Sequence, residues 1–260
     1  MDEVLTRLTN HLRTAVAHEW DGVILIDGVE GSGKSSLALD VGYNLDNTFN
    51  IDRIVFTPEQ FEEAIDNSKP EQAIVWDEFI TGGMSTEFLT TVQRTLVKRM
   101  TMIRKKRLYI IWVMPYFFMV GKYFAVARSR FLLHAYTPDG IKRGVYRAYN
   151  YDKKRVMYFR GKREFDYCVK AYATGTFPDF FKKGILDKNL YEQKKDEATK
   201  QLCEEQEKPK GNIKIDRVRF ALSKTLIELK KYGYNNKSLE NLISYSPRQV
   251  HVLLHIHDKR

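Results

Sequence analysis

Residues Gly28-Val-Glu-Gly-Ser-Gly-Lys-Ser35 place glycines at 28, 31 and 33 directly before a lysine and a serine. That spacing, G-x-x-x-x-G-K-[ST], suits a loop that cradles phosphate oxygens. Glycine lets the chain turn tightly enough for consecutive N–H groups to point inward at an anion. Gly28, Gly31, Ser32, Gly33, Lys34, Ser35 and Ser36 are therefore the candidate phosphate contacts. Lys34 would reach the β- and γ-phosphates, and the Ser35 hydroxyl would sit on Mg²⁺. A second constellation is Ala73-Ile-Val-Trp-Asp77-Glu78, an apolar run that ends in two acids. Asp77 suits the Mg²⁺ shell, and Glu78 suits a base that orients an attacking water. Two acids after a strand also suit a helix N-terminus. No Asn-Lys-x-Asp pattern for reading guanine is present, so GTP specificity is not indicated.

These groups need elements to hold them. Gly22-Val-Ile-Leu-Ile-Asp27 is a short β-branched run before the glycine loop, and helical spacing resumes from Ser35 to Leu45. A helix is also expected over residues 2–19. Ile51 to Phe56 reads as a second strand, and Thr57-Pro58-Glu-Gln60 as N-cap, first-turn proline and capping-box glutamine of a helix over about 58–66. The third strand is Ala73 to Asp77, followed by a long helix over about 87–106 and a fourth strand at Leu108 to Val113. Phe118 to Ala127 reads as a helix and Arg130 to Tyr136 as a fifth strand. Residues 144–159 alternate around Asp152-Lys-Lys154, as a hairpin would. Strands and helices in regular succession predict an α/β fold of three layers around a mostly parallel sheet. The organisation expected is a first domain over 1–190, a charged solvated helix and linker over 191–212, and a small all-α domain over 213–260.

The glycine loop and the Asp-Glu pair together resemble the additional-strand, catalytic-glutamate class of P-loop ATPases. That class contains AAA+ proteins, RecA-like motors and the HerA–FtsK DNA pumps. Within it the chain looks most like HerA–FtsK-type motors, whose neighbourhood includes viral packaging ATPases and zonular-occludens-toxin-like phage ATPases. The resemblance covers about residues 20–136 and implies that the fourth strand lies between the glycine-loop strand and the Asp77 strand. It further implies ATP and Mg²⁺ as cofactors, DNA as a partner and a homo-oligomeric ring such as a hexamer. In such rings an arginine of the next subunit contacts the γ-phosphate; Arg128 and Arg130 are the candidates, with Arg104 behind them. One departure stands out. The fourth strand ends Trp112-Val113-Met114-Pro115, with Met114 where a polar sensor is usual.

Basic residues cluster at the end of the long helix, Arg104 to Arg107, and across 142–163 among tyrosines and Phe159. They suit a phosphate track with stacking platforms, or a solvated face and cross-strand packing. The last third reads as helices over about 217–231, 237–243 and 247–257, resembling a helix-turn-helix with Ser244-Tyr-Ser246 as its turn. Arg248, Gln249 and His251 would then meet DNA. A protein-binding three-helix module is the alternative. His251, His255 and His257 have no cysteine or acid at matching spacing, so no metal site is expected there.

The chain has 260 residues, 43% hydrophobic and 29% charged, with a formal charge of +10, which suits a globular protein with an acidic partner. Two cysteines make no disulfide framework, and a reducing compartment is expected, cytoplasmic or, for a viral protein, host-cytoplasmic or virion-associated. The greasiest stretch, Leu108 to Val120, contains Pro115 and falls short of the ~20 residues a spanning helix needs, so membrane insertion is not expected. The function expected is an ATP-driven DNA translocase or packaging motor. Two alternatives stay open: a thymidylate-type kinase, which Ile26 to Ser35 also resembles, and a nucleotide-switched DNA-binding regulator. Against the kinase, Asp52-Arg53 lies one strand too early for its acceptor motif. No nuclease-type acidic cluster follows the core, which argues against a complete terminase.

Overall fold

A computed structural model describes residues 2–78, 86–207, 213–243 and 247–254. The chain divides into two compact units, Met1–Leu202 and Cys203–Arg260.

In the first unit, β1 (Gly22–Asp27), β2 (Ile54–Val55), β3 (Ala73–Trp76), β4 (Tyr109–Val113), β5 (Phe131–Tyr136), β6 (Val145–Tyr149) and β7 (Ala173–Thr176) form one seven-stranded sheet. Its order is β2-β3-β4-β1-β5-β6-β7, so β4 does lie between β1 and β3. The first five strands run parallel, while β6 and β7 add antiparallel to the β5 edge. Every residue of β1, β3 and β4 is buried, as expected where helices cover both faces of a parallel sheet.

Successive strand residues feed opposite layers. Ile24, Ile26, Val75 and Ile111 pack with α1 (Glu3–Ala17) and α2 (Lys34–Leu45), while Val23, Leu25, Ile74 and Trp112 pack with α3 (Pro58–Asn67) and α4 (Thr86–Lys105). The α3 start is built as its sequence predicts. The Thr57 hydroxyl accepts from the Gln60 N–H at 3.2 Å, and Gln60 Oε1 reaches back to the Phe56 N–H at 2.9 Å. Lys106 Nζ closes the other end of α3, donating to the carbonyls of Ile65, Asp66 and Ser68 at 2.8 Å each.

Two expectations are corrected. Residues 144–159 are not a hairpin. β6 stops at Tyr149, the Asn150 side chain accepts from the Lys153 N–H at 3.1 Å, and α5 (Tyr151–Gly161) begins. The strand partners of β6 are β5 and β7. Lys154 is consequently fully buried, donating to the carbonyls of Ala125 and Val126 at 2.8 and 2.9 Å. The segment read as a helix at 118–127 is a 3₁₀ turn, Phe117–Met119, followed by a π-helical turn, Tyr123–Arg128. That wider turn directs the two carbonyls that Lys154 takes up.

The charged segment after 190 contains a helix with a partly packed face. α6 (Lys188–Glu207) is one helix, and Tyr191 and Ala198 on it are buried in the α1–α2 layer. The second unit contains α7 (Ile213–Lys231), α8 (Asn236–Ile243) and α9 (Pro247–Leu254). Leu226, Leu239, Val250 and Leu253 form its small core, and Ser223 Oγ donates to the Leu253 carbonyl at 2.6 Å. The expected turn at 244–246, and His255 and His257, lie outside the described residues.

Candidate active site

The glycine loop leaves β1 at its C-terminal end and enters α2 at Lys34. Gly28, Gly31 and Gly33 have φ of 145°, 76° and 93°, conformations that other residues adopt at a cost. Gly28 has a second constraint, because a Cβ there would lie 2.1 Å from the Ala135 carbonyl oxygen. The loop closes on itself through the Ser32 N–H to the Val29 carbonyl at 3.2 Å, and Lys34 Nζ donates to the same carbonyl at 2.8 Å. Burial lowers the Lys34 pKa, opposed by the nearby carboxylates of Asp77, Asp27, Glu30 and Glu78. A cation in an acid-ringed, partly desolvated loop is poised for an anion.

Asp77 follows β3 and is buried. Its N–H donates to the Val55 carbonyl at 2.9 Å, fixing it beside β2. Its Oδ1 accepts from the Glu78 N–H at 3.1 Å and its Oδ2 from the Tyr191 hydroxyl of α6. Burial, then Asp77, pushes the pKa of that phenol upward, so it stays protonated. Glu78 is half-exposed in a left-handed conformation with φ of 55°, and its Oε1 lies 2.7 Å from Lys195 Nζ.

One cavity of about 720 Å³ is lined by Gly31, Gly33, Lys34, Ser35, Ser36, Asp77 and Glu78. The structure thus unites most of the residues that the motifs single out. Gly28 lies beneath the loop, and Ser32 Oγ is buried without a hydrogen-bond partner among the described residues. Ser36 is engaged elsewhere: its hydroxyl donates to the Pro178 carbonyl at 3.3 Å and accepts from the Phe180 N–H at 2.6 Å. Cations absent from the motif reading complete the wall, namely Arg143, Lys182, Lys188 and Lys195. The available signal was the spacing of Tyr191, Lys195 and Ala198 at i, i+4 and i+7, one helix face inside a charged run.

No protein-family model matches the chain, and no curated protein does. Among solved structures it is similar to the N-terminal domain of zonular occludens toxin from Neisseria meningitidis, at 15% identity and a TM-score of 0.36. The match covers 66% of this chain and 98% of that one. The likeness is remote. The mixed α/β architecture, mostly parallel sheet and glycine-loop geometry are compatible with a P-loop NTPase fold.

Mg²⁺ would be held by Ser35 and Asp77. The residues fit it: a hydroxyl and a buried carboxylate, both oxygen ligands, line one cavity beside the loop lysine.

The other candidates lie elsewhere. Arg128 and Arg130 precede β5, at the end of the sheet opposite the glycine loop, because β5 runs parallel to β1. Arg128 forks onto the buried carboxylate of Asp21. Arg130 Nε donates to the Asp21 carbonyl at 3.3 Å, and its guanidinium sits 5.0 Å from the Trp20 ring centroid. Within one chain neither is brought to Lys34. Met114 is buried and apolar at the end of β4. A polar group stands instead at the end of β1: buried Asp27 accepts from the Phe117 N–H at 3.0 Å and from the Tyr167 hydroxyl, with His134 Nδ1 at 3.0 Å.

The basic clusters are also divided. Arg99 pairs with Glu62 and Asp66, Arg107 with Glu71, and Arg147 stacks on Tyr136. His251 is exposed on α9; Arg248 and Gln249 belong to the same helix, with side chains outside the described residues. No helix among the described residues is long and apolar enough to cross a membrane.

Proposed function

We propose that this chain is a Mg²⁺-dependent ATPase that cleaves the β–γ phosphoanhydride with water. The observation that carries the reading is the single cavity in which Lys34 and Ser35 at the start of α2 face Asp77 and Glu78 at the end of β3. The loop N–H groups and the positive end of α2 would take the phosphate oxygens. Lys34 would bind the β- and γ-phosphates, and Glu78 would accept a proton from the attacking water. Mg²⁺, when bound, neutralises charge on the bridging phosphates. The β4 strand between β1 and β3 supports an additional-strand ATPase, and the charge of +10 supports DNA as the partner of a translocase or packaging motor. Arg128 and Arg130 would serve such a motor only from a neighbouring copy in a ring.

The test is phosphate release from Mg-ATP, with and without DNA. Glu78→Gln should keep nucleotide binding and lose about 100-fold or more in turnover, the scale of a positioned base. DNA-stimulated release supports the motor. Transfer to a nucleoside monophosphate without free phosphate would mark a kinase, and binding without turnover a regulator.

A further inference from the structure

Arg128 and Arg130 are engaged at Asp21, away from the nucleotide cavity, and Met114 supplies no polar sensor. α6 supplies a cation in their place. Tyr191 and Lys195 are one helical turn apart and both line the cavity with Lys34, Ser35, Asp77 and Glu78. Tyr191 holds Asp77, one of the groups expected to hold Mg²⁺, and Lys195 holds the group expected to activate water. Burial works against the charge on Lys195, but its hydrogen bond to Glu78, with Asp77 and Glu192 nearby, outweighs it and keeps the amine protonated.

In the present pairing one carboxylate oxygen of Glu78 accepts from the Lys195 ammonium at 2.7 Å and is not free to take a proton from water. A triphosphate seated on Lys34 brings new negative charge into the same cavity, beside Lys195. An ammonium has three donors on a flexible stem and can follow that charge without movement of its helix.

We propose that Lys195 is a catalytic residue that contacts the γ-phosphate. On triphosphate binding it exchanges Glu78 for a terminal phosphate oxygen. The exchange places a positive charge where negative charge spreads during cleavage, and it frees Glu78 to take the water proton. The water oxygen bonds to the γ-phosphorus, the bond from that phosphorus to the β–γ bridging oxygen breaks, and ADP and phosphate leave. This inference rests on the ATPase reading and deepens it.

The experiment measures dissociation constants for Mg-ADP and for a nonhydrolysable Mg-ATP analogue, on the full chain carrying wild-type Lys195, Lys195→Ala or Lys195→Arg. Lys195→Ala should weaken the analogue by about tenfold or more, the scale of a charge-assisted hydrogen bond, and leave Mg-ADP within about twofold. Its phosphate release should fall about 100-fold. Lys195→Arg should recover most of the preference for triphosphate, which a fold defect would not allow. Equal weakening of both nucleotides, an unchanged preference, or faster hydrolysis by Lys195→Ala overturns the inference while sparing the ATPase reading. Failure of the wild-type chain to bind either nucleotide overturns both.

Discussion

Replacing Lys154 with methionine should change how stability depends on pH. The Lys154 ammonium is fully buried on α5, and burial pushes its pKa down to about 7. A lysine in the unfolded chain titrates near ~10.4. Below pH 7 both states carry the proton, and the folded state bears the full cost of the buried charge. Between about 7 and 10.4 the unfolded chain binds a proton that the folded chain has released, so stability rises with pH. The gain is about 1.4 kcal/mol per pH unit once above the folded pKa, or about 2.5 kcal/mol between pH 6 and 9. Released of its proton, the amine still has two N–H donors, matching the Ala125 and Val126 carbonyls. Lys154→Met removes this dependence and leaves those carbonyls without their donor, a pH-independent loss of about 1–3 kcal/mol. All three tryptophans, Trp20, Trp76 and Trp112, belong to the first unit, so urea unfolding followed by tryptophan fluorescence reports on it alone. The difference between wild type and variant should grow in favour of wild type by about 2.5 kcal/mol from pH 6 to 9. A difference that stays constant within about 0.5 kcal/mol refutes the buried, titrating amine.

Four further outcomes follow from the structure. Gly28→Ala drives a methyl into the Ala135 carbonyl and should abolish nucleotide-induced thermal stabilisation. Gly31→Ala meets nothing nearer than Arg143 at 3.7 Å, so it should cost only the roughly 1–2 kcal/mol of its left-handed backbone. Arg128→Ala leaves Asp21 buried and unpaired, and should lower unfolding free energy by about 3 kcal/mol in denaturant titrations. Tyr191→Phe takes a donor from buried Asp77, destabilising the nucleotide-free chain by about 1–2 kcal/mol; calorimetry should then show a larger rise in melting temperature on adding Mg-ATP than in wild type.

The glycine loop and the Asp77–Glu78 pair were legible because their chemistry is contiguous and is bounded by strand and helix signals. The α3 cap was legible for the same reason. Residues joined only by topology were not. Asp27 and His134 meet because β1 and β5 pair in a register that sets them opposite each other, and Tyr167 arrives from beyond α5. Lys154 was hidden by its neighbours, since Asp152-Lys-Lys reads as a turn until Asn150 is seen to cap a helix. Lys195 was hidden by composition. A mostly charged run resembles a solvated surface, and only Tyr191 and Ala198 at heptad distance betray a packed face.

α6 runs unbroken from Lys188 to Glu207, so it begins within the first unit and ends past its boundary at Leu202. A fragment ending at residue 190, where composition alone would place the cut, would keep the whole glycine loop and still discard one wall of the cavity. A limited proteolytic nick between Tyr191 and Leu202 would do likewise. On the proposed ATPase reading, nucleotide should therefore protect peptide bonds more than 150 residues downstream of Lys34.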